Sequence, residues 1–194
     1  KLWQEAGYPP VTMSVNISVV QFRQQDLVER IQEVLDETGL AAEWLELEVT
    51  ESIVVDDIER ITKVLDELKA LGIRVAIDDF GTGYSSLSYL TRLPFDTLKI
   101  DQSFVRNTDR QNWAIVRAVV QLARSLELKI VAEGIETMES MHQLRDVGCH
   151  IGQGYYFSRP VPATEFVEYL EDDQKQLLAS APVALRKTIR VGLP

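Results

Sequence analysis

The strongest constraint on the fold is a strand pattern followed by a helix pattern, which recurs six times along the chain. In the first strand pattern, Val11, Met13, Val15 and Ile17 share one face and polar residues share the other. Each helix pattern repeats apolar residues three or four positions apart. The strand patterns cover residues 11–17, 45–49, 73–77, 97–100, 128–132 and 151–157, and the helix patterns cover residues 27–35, 58–68, 85–90, 113–126, 138–147 and 165–170. This alternation predicts an α/β fold with a parallel sheet.

The positions of polar residues separate two parallel folds, an open doubly wound sheet and a closed barrel. No GxGxxG follows the first strand, so the dinucleotide-binding fingerprint of the open sheet is missing. Polar side chains instead occupy the C-terminal end of each predicted strand: Asn16, Glu48, Asp78 with Asp79, Lys99 with Asp101, Glu133, and Gln153. A (β/α) barrel brings all such strand ends to one mouth, whereas an open sheet gathers only those at its switch point. The pattern therefore favours a (β/α) TIM-like barrel.

The number of strands falls short of a closed barrel. Such barrels need eight strands and typically ~250 residues, whereas this chain has 194 residues and six strand patterns. We expect an incomplete barrel domain over residues 1–172 that lacks its N-terminal part, followed by a C-terminal tail over residues 173–194. The missing strands would belong to a longer parent chain or come from elsewhere. Because such a fragment has two open sheet edges, we expect it to associate, to be unstable or to belong to a longer parent.

Charge and cysteine content exclude several classes of function. The net charge of -10 repels duplex nucleic acid, which proteins bind mainly by neutralising its phosphates with Lys and Arg. The chain has one cysteine, Cys149, and two histidines, so neither an internal disulfide nor a Cys/His zinc site is expected. No apolar run reaches the ~18–20 residues of a membrane span. We therefore expect a protein of a reducing, cytoplasmic compartment with no membrane segment in this chain.

The predicted mouth is rich in oxygen ligands. Buried together, the four carboxylates of Glu48, Asp78, Asp79 and Glu133 would repel one another unless a cation lay among them. Oxygen ligands select Mg²⁺, Mn²⁺ or Ca²⁺, and the adjacent pair Asp78 and Asp79 suits a site with two ions. Lys99 could orient or deprotonate an attacking water, or neutralise a phosphoryl oxygen. Any single acidic residue at a strand end could also be a helix cap or a solvated surface group.

Six ordered motifs resemble those of EAL domains, which are bacterial phosphodiesterases that act on cyclic di-GMP. The motifs are Asn16-Ile-Ser18, Glu48-Val-Thr-Glu51, Asp78-Asp-Phe-Gly-Thr-Gly-Tyr-Ser-Ser86, Lys99-Ile-Asp101, Glu133-Gly-Ile-Glu136 and Gln153-Gly-Tyr-Tyr-Phe-Ser-Arg-Pro160. The resemblance runs from the first residues to about residue 170 and implies a modified (β/α) barrel. The Glu-Ala-Leu segment that names the family does not occur in this chain.

The resemblance implies a role for each matching residue. The implied metal ligands are Asn16, Glu48, Asp78, Asp79 and Glu133, and the implied catalytic residues are Lys99, Glu48, Asp78 and Glu133, with Lys99 at the catalytic water. The implied substrate-binding residues are Asp101, Gln153, Tyr156 and Pro160. Glu51 and Glu136 would brace the loop at residues 80–86, which in this family couples the metal site to dimerisation. The implied cofactor is Mg²⁺ or Mn²⁺ at a site for two ions.

The function implied by the resemblance is metal-dependent hydrolysis of cyclic di-GMP to linear pGpG in bacterial second-messenger signalling. It depends on a longer parent chain that supplies the missing Glu. We also expect a homodimer and an upstream cyclase or sensory domain that is fused to this chain or regulates it. The expected location is cytoplasmic, which includes the cytoplasmic part of a membrane-anchored parent. Two alternatives stay open: an inactive EAL-like receptor or protein-interaction module, and a Mg²⁺-dependent barrel enzyme with an ene-diolate mechanism. The Asp78-Asp79 pair speaks against the second alternative.

Overall fold

A single parallel sheet carries the fold. The structure, a computed structural model, describes residues 1–55, 58–82, 87–107, 109–149, 151–177 and 186–187. Its strands in these ranges are β1 (Met13–Ile17), β2 (Leu45–Thr50), β3 (Arg74–Phe80), β4 (Thr97–Ile100), β5 (Lys129–Ala132), β6 (Ile151–Gly152) and β7 (Arg186–Lys187). They pair in chain order, and each neighbouring pair is parallel. This is the incomplete TIM-like barrel that the alternating pattern predicts.

Helices connect the strands, as parallel pairing requires. They are α1 (Leu2–Glu5), α2 (Val19–Phe22), α3 (Leu27–Thr38), α4 (Ile58–Ala70), α5 (Leu87–Leu90), α6 (Gln102–Arg106), α7 (Arg110–Ser125), α8 (Met138–Asp146) and α9 (Ala163–Leu177). Short 3-10 helices cover Ala42–Trp44 and Glu51–Val55. Among the described residues, no helix is long and apolar enough to cross a membrane.

Two helices absent from the sequence prediction begin directly after strands. Ser18 caps α2, because its hydroxyl accepts from the backbone N–H of Gln21 while the Gln21 side chain accepts from the backbone N–H of Ser18. Asp101 caps α6, because its carboxylate accepts from the backbone N–H of Ser103 at 2.9 Å. With four and five residues, both helices are too short for an apolar repeat to reveal them. Their caps place the polar residues at the ends of β1 and β4.

The last predicted strand is mostly a turn. The sequence predicts a strand over residues 151–157, but β6 ends at Gly152. The backbone N–H groups of Phe157 and Ser158 both donate to the carbonyl of Gly154, which closes a turn over the Tyr-Tyr-Phe run. The apolar residues of that run therefore do not continue the strand. The strand β7, which the sequence did not predict, lies at the other side of β6 and falls in the expected tail.

The two faces of the sheet differ in chemistry. On one face, Val75 and Ile77 of β3 and Leu98 and Ile100 of β4 are fully buried in the core that the helices cover. The residues between them point to the other face, because side chains alternate along a strand. This second face carries the polar residues Glu46, Glu48, Asp78, Thr97 and Lys99, which contact one another across strands. The alternation therefore concentrates ionisable groups inside the curved sheet.

Candidate active site

Lys99 lies at the centre of an acidic cluster on the polar face. Its ammonium nitrogen is 2.7 Å from Glu48 Oε2, 3.0 Å from Asp78 Oδ1 and 2.7 Å from Glu133 Oε1. The side chain of Lys99 is only 2% exposed. Burial alone lowers the pKa of Lys99, but the carboxylates of Glu48, Glu133 and Asp78 outweigh it, so the pKa is raised above its usual value. Lys99 is therefore a buried, charged donor.

A bulge in β3 presents two adjacent aspartates to Lys99. Ile77 pairs with Leu98 and Phe80 pairs with Ile100, so Asp78 and Asp79 together oppose the single residue Lys99. In a regular strand, neighbouring side chains point to opposite faces. Here Asp79 adopts a left-handed backbone with φ of 55°, and its N–H donates to Asp78 Oδ1 at 3.0 Å. The bulge lets both carboxylates reach the same side, which an extended strand cannot do.

Three carboxylates are close enough to hold one cation. Oxygen atoms of Asp78, Asp79 and Glu133 all lie within 4.8 Å of one another. The pKa of Asp79 is raised above its usual value by burial and by the negative charges of Asp78, Asp101 and Glu133, although Lys99 lowers it. Like charges held this close are relieved by a divalent cation, and an all-oxygen ligand set suits Mg²⁺ or Mn²⁺. The donor set fits the predicted metal.

The other two predicted metal ligands lie at the margin of this cluster. Glu48 is 4% exposed and joins it through Lys99. Asn16 is the register partner of Glu48 on the neighbouring strand β1, so both side chains leave the sheet on the same face. Asn16 is exposed, unlike the other four predicted ligands. Its place is consistent with a ligand at the open side of the cluster.

The residues predicted to brace the loop make different contacts. Glu51 is buried, and its Oε2 accepts from the backbone N–H of Gly81, at the start of the loop, at 3.3 Å. Glu136 forms an ion pair with Arg106 at 2.8 Å, and both side chains are almost half exposed. Residues 83–86 of the loop lie outside the described residues, so contacts of Glu136 to that part belong to the prediction alone.

A pocket of about 160 Å³ adjoins the acidic cluster and shares Glu133 with it. Two of the residues predicted to bind substrate, Gln153 and Pro160, line it together with Tyr155. Tyr156 is not among the described lining residues and instead makes an edge contact with the ring of Phe157. Asp101, the fourth predicted substrate residue, caps α6 nearby and raises the pKa of Asp79.

Two glycines of the pocket lining pack tightly against neighbouring residues. A Cβ at Gly134 would lie 2.4 Å from the Cβ of Gln102, and Gly134 has a φ of 70° that favours glycine. A Cβ at Gly154 would lie 2.1 Å from the carbonyl oxygen of Ile135. The packing of Gly134 against Gln102 and of Gly154 against the backbone of Ile135 therefore requires glycine at both positions.

Sequence reasoning missed three residues that line the pocket, Gln102, Arg106 and Tyr155. Gln102 and Arg106 lie four positions apart and hence on one side of α6. Asp101 followed by Ser103 is a capping signal that could have revealed α6 and the side it presents. In the predicted strand, Tyr155 and Tyr156 would point to opposite faces of the sheet. The turn at Gly154 removes this alternation.

The family follows from the sequence match. The family model described as the EAL domain matches residues 1–160. The chain belongs to the EAL domain family. The acidic cluster and the six motifs lie within the matched residues.

Relatives of known name resemble the chain over most of its length. NbdA from Pseudomonas aeruginosa, named a cyclic di-GMP phosphodiesterase, is 42% identical over 167 residues, which are 85% of this chain and 21% of NbdA. A structure of the PaMucR phosphodiesterase in complex with cyclic di-GMP is 43% identical, covers 85% of this chain and 68% of that chain, and has a TM-score of 0.82. A complex of Klebsiella pneumoniae BlrP1 with manganese and cyclic di-GMP is 35% identical, covers 81% and 41%, and has a TM-score of 0.74. The chain thus spans about a fifth of the length of NbdA.

Proposed function

We propose that this chain is the metal-dependent phosphodiesterase region of a signalling protein and hydrolyses cyclic di-GMP to linear pGpG. The observation that carries the proposal is the buried cluster in which Lys99 meets Glu48, Asp78 and Glu133 at the C-terminal ends of parallel strands. Membership of the EAL family, and likeness to relatives named for this substrate, supports the choice of substrate.

The proposed metal ligands are the oxygen donors of the cluster. Asp78, Asp79 and Glu133 would hold the ions, together with Glu48 and with Asn16 at the open side. Bound divalent ions lower the pKa of water and offset negative charge on a phosphoryl group. We propose Mg²⁺ or Mn²⁺, and the likeness to a manganese complex of BlrP1 supports this.

Lys99 acts as a charged donor and not as a base. Its raised pKa keeps the ammonium protonated at neutral pH. An ammonium has three N–H donors, and the three carboxylates within 3.0 Å can accept all of them. If one of these carboxylates binds another partner instead, it releases one N–H donor of Lys99. Lys99 can then orient the attacking water or neutralise a phosphoryl oxygen, which are two of the three roles that the sequence left open.

The pocket beside Glu133 would receive one base of the dinucleotide. Gln153 Oε1 is buried and has no hydrogen-bond partner among the described residues, so it offers an acceptor to a ligand. Tyr155 supplies an aromatic ring to the same pocket, and Pro160 supplies an apolar wall. A planar, hydrogen-bonding base matches this lining. Tyr156 lies outside the described lining, and its contact with substrate stays a prediction.

The proposed oligomeric state, additional domain and location are those expected from the family. We propose a homodimer. We also propose a parent protein that carries a cyclase or sensory domain, which is supported by the match to only 21% of the length of NbdA. The proposed location is the cytoplasm, which is consistent with Cys149 as the single cysteine of the chain.

A receptor that binds the dinucleotide without hydrolysis is the second candidate. One observation favours it: Lys99 already neutralises part of the carboxylate charge, so the cluster can persist without added cations. A receptor and an enzyme would share the pocket but differ in their need for metal.

The deciding experiment is hydrolysis of cyclic di-GMP by the protein as the organism makes it, with Mg²⁺ or Mn²⁺, with EDTA, and with the Glu48→Gln variant. We expect linear product with Mg²⁺ or Mn²⁺. We expect at least a hundredfold less product with EDTA, which removes the ions, and in Glu48→Gln, which removes a ligand charge while the fold survives. Equal rates in Glu48→Gln would contradict the assignment of Glu48. Saturable binding without product would favour the receptor.

A further inference from the structure

Lys99 and Glu48 contact each other although their strands are not neighbours in the sheet. Lys99 is on β4 and Glu48 is on β2, with β3 between them. Neighbouring strands lie about 4.8 Å apart, so β2 and β4 are about 10 Å apart. The Nζ–Oε2 distance of 2.7 Å therefore requires both side chains to extend over β3.

A second crossing lies one step lower on the same face. Thr97, two residues before Lys99, donates its hydroxyl to Oε1 of Glu46 at 2.8 Å. Glu46 is likewise two residues before Glu48, so the two crossings are stacked along β2 and β4. Both pass over β3 on its polar face.

Ala76 is the residue of β3 that these crossings enclose. It is the register partner of Glu48 on one side and of Thr97 on the other, and it is fully buried. Its methyl group points to the same face as Asp78, two residues further along. A larger side chain here would occupy the space through which Glu48 and Lys99 approach each other.

We propose that Ala76 is a positioning residue for the proposed phosphodiesterase reaction, because its small side chain lets Lys99 and Glu48 meet across β3. The methyl group of Ala76 has no atom that can ligate a metal, so Ala76 acts through Glu48 and Lys99. Added bulk displaces the Glu48 carboxylate from the cluster, which removes an oxygen ligand and one partner of the ammonium. The inference rests on the proposed function only in so far as the cluster is the active site.

The test compares Ala76→Gly, Ala76→Val and Ala76→Leu with the control Ala123→Val, in the protein as the organism makes it. Ala123 is also fully buried but lies in α7, away from the cluster. Glycine weakens strands, whereas valine favours them. If Ala76 has only a structural role, activity should follow stability, and Ala76→Gly should be less active than Ala76→Val.

A positioning role predicts the opposite order. We expect kcat to fall about ten- to hundredfold in Ala76→Val and further in Ala76→Leu, because displacements near 1 Å cost that much in positioned sites. We expect Ala76→Gly and Ala123→Val to stay within about threefold of the wild type, and KM for cyclic di-GMP to change little. If Ala76→Leu does not fold, Ala76→Val carries the test. A kcat that falls most in Ala76→Gly, or equally in Ala123→Val, would overturn the proposal.

Calorimetric titration with Mn²⁺ alone separates this proposal from the proposed function. We expect Mn²⁺ to bind Ala76→Val at least fivefold more weakly than Ala76→Gly. If the unmodified protein binds Mn²⁺ but hydrolyses no cyclic di-GMP, the proposed function fails and the titration still decides the role of Ala76. Equal Mn²⁺ affinities in the two variants would overturn the positioning role, and absence of Mn²⁺ binding by the unmodified protein would overturn both proposals.

Discussion

Replacing Lys99 with methionine should destabilise the metal-free protein severely. The substitution keeps the unbranched stem and removes the charge that three carboxylates share at 2.7 to 3.0 Å. Because Lys99 is 2% exposed, water cannot replace the lost ammonium. Removing one partner of a buried ion pair costs about 3–5 kcal/mol. For a chain of 194 residues, this corresponds to a decrease in Tm of about 6–20 °C.

The assay is thermal unfolding in EDTA and then in saturating Mn²⁺. In Lys99→Met, a bound divalent cation can offset the carboxylate charge that the ammonium offsets in the wild type. We therefore expect Mn²⁺ to raise the Tm of the variant by more than it raises the Tm of the wild type.

The matched control is Lys69→Met. Lys69 forms an ion pair with Asp96, but its side chain is 33% exposed, so its loss should cost about 1 kcal/mol or less. We expect Mn²⁺ to affect this control and the wild type equally. The reasoning is refuted if Lys99→Met loses no more stability in EDTA than Lys69→Met, or if Mn²⁺ raises the Tm of all three proteins by the same amount.

Three further predictions concern single residues. Asp79→Asn should raise the Tm in EDTA and reduce the Mn²⁺-induced rise, because the raised pKa of Asp79 means that its charge destabilises the fold. That gain should vanish as the pH falls through this raised pKa, where the wild-type carboxyl is protonated. Gly154→Ala should cost about 1–3 kcal/mol in urea unfolding and raise KM, because its Cβ would meet the Ile135 carbonyl oxygen at 2.1 Å; unchanged stability would contradict this packing. Cys149 is buried with its pKa raised to about 11, so at pH 8 a thiol reagent should label it only after unfolding, and rapid labelling of the native protein would contradict its burial.

The sequence predicts the sheet well because both faces of its central strands are buried. Val75 and Ile77 lie in a short apolar run, whereas Leu98 and Ile100 alternate with polar residues, and helical patterns delimit both strands. The same reasoning fails over residues 151–157, where the apolar residues after Gly154 belong to a turn held by its carbonyl. Apolar character alone does not distinguish a strand from this turn. The turn depends on the close approach of Gly154 to Ile135, which is a tertiary contact.

The site is predictable as a set of positions but not as a geometry. Strand ends identify Glu48, Asp78 and Glu133, because parallel strands bring their C-terminal ends together. The bulge at Asp78 and Asp79 is a property of the pairing between β3 and β4, which one strand does not encode. The contribution of Ala76 is equally hidden, since it depends on side chains that cross from strands on both sides.

The most direct test of the account is the location of bound Mn²⁺, measured by anomalous diffraction from crystals soaked in manganese. The account predicts an anomalous peak within ~2.2 Å of carboxylate oxygens of Asp78 and Asp79, with Glu133 beside it, and loss of that peak in Asp79→Asn combined with Asp78→Asn. A peak elsewhere on the protein, with the ammonium of Lys99 still bound to all three carboxylates, would contradict the proposed metal site and the hydrolysis that depends on it.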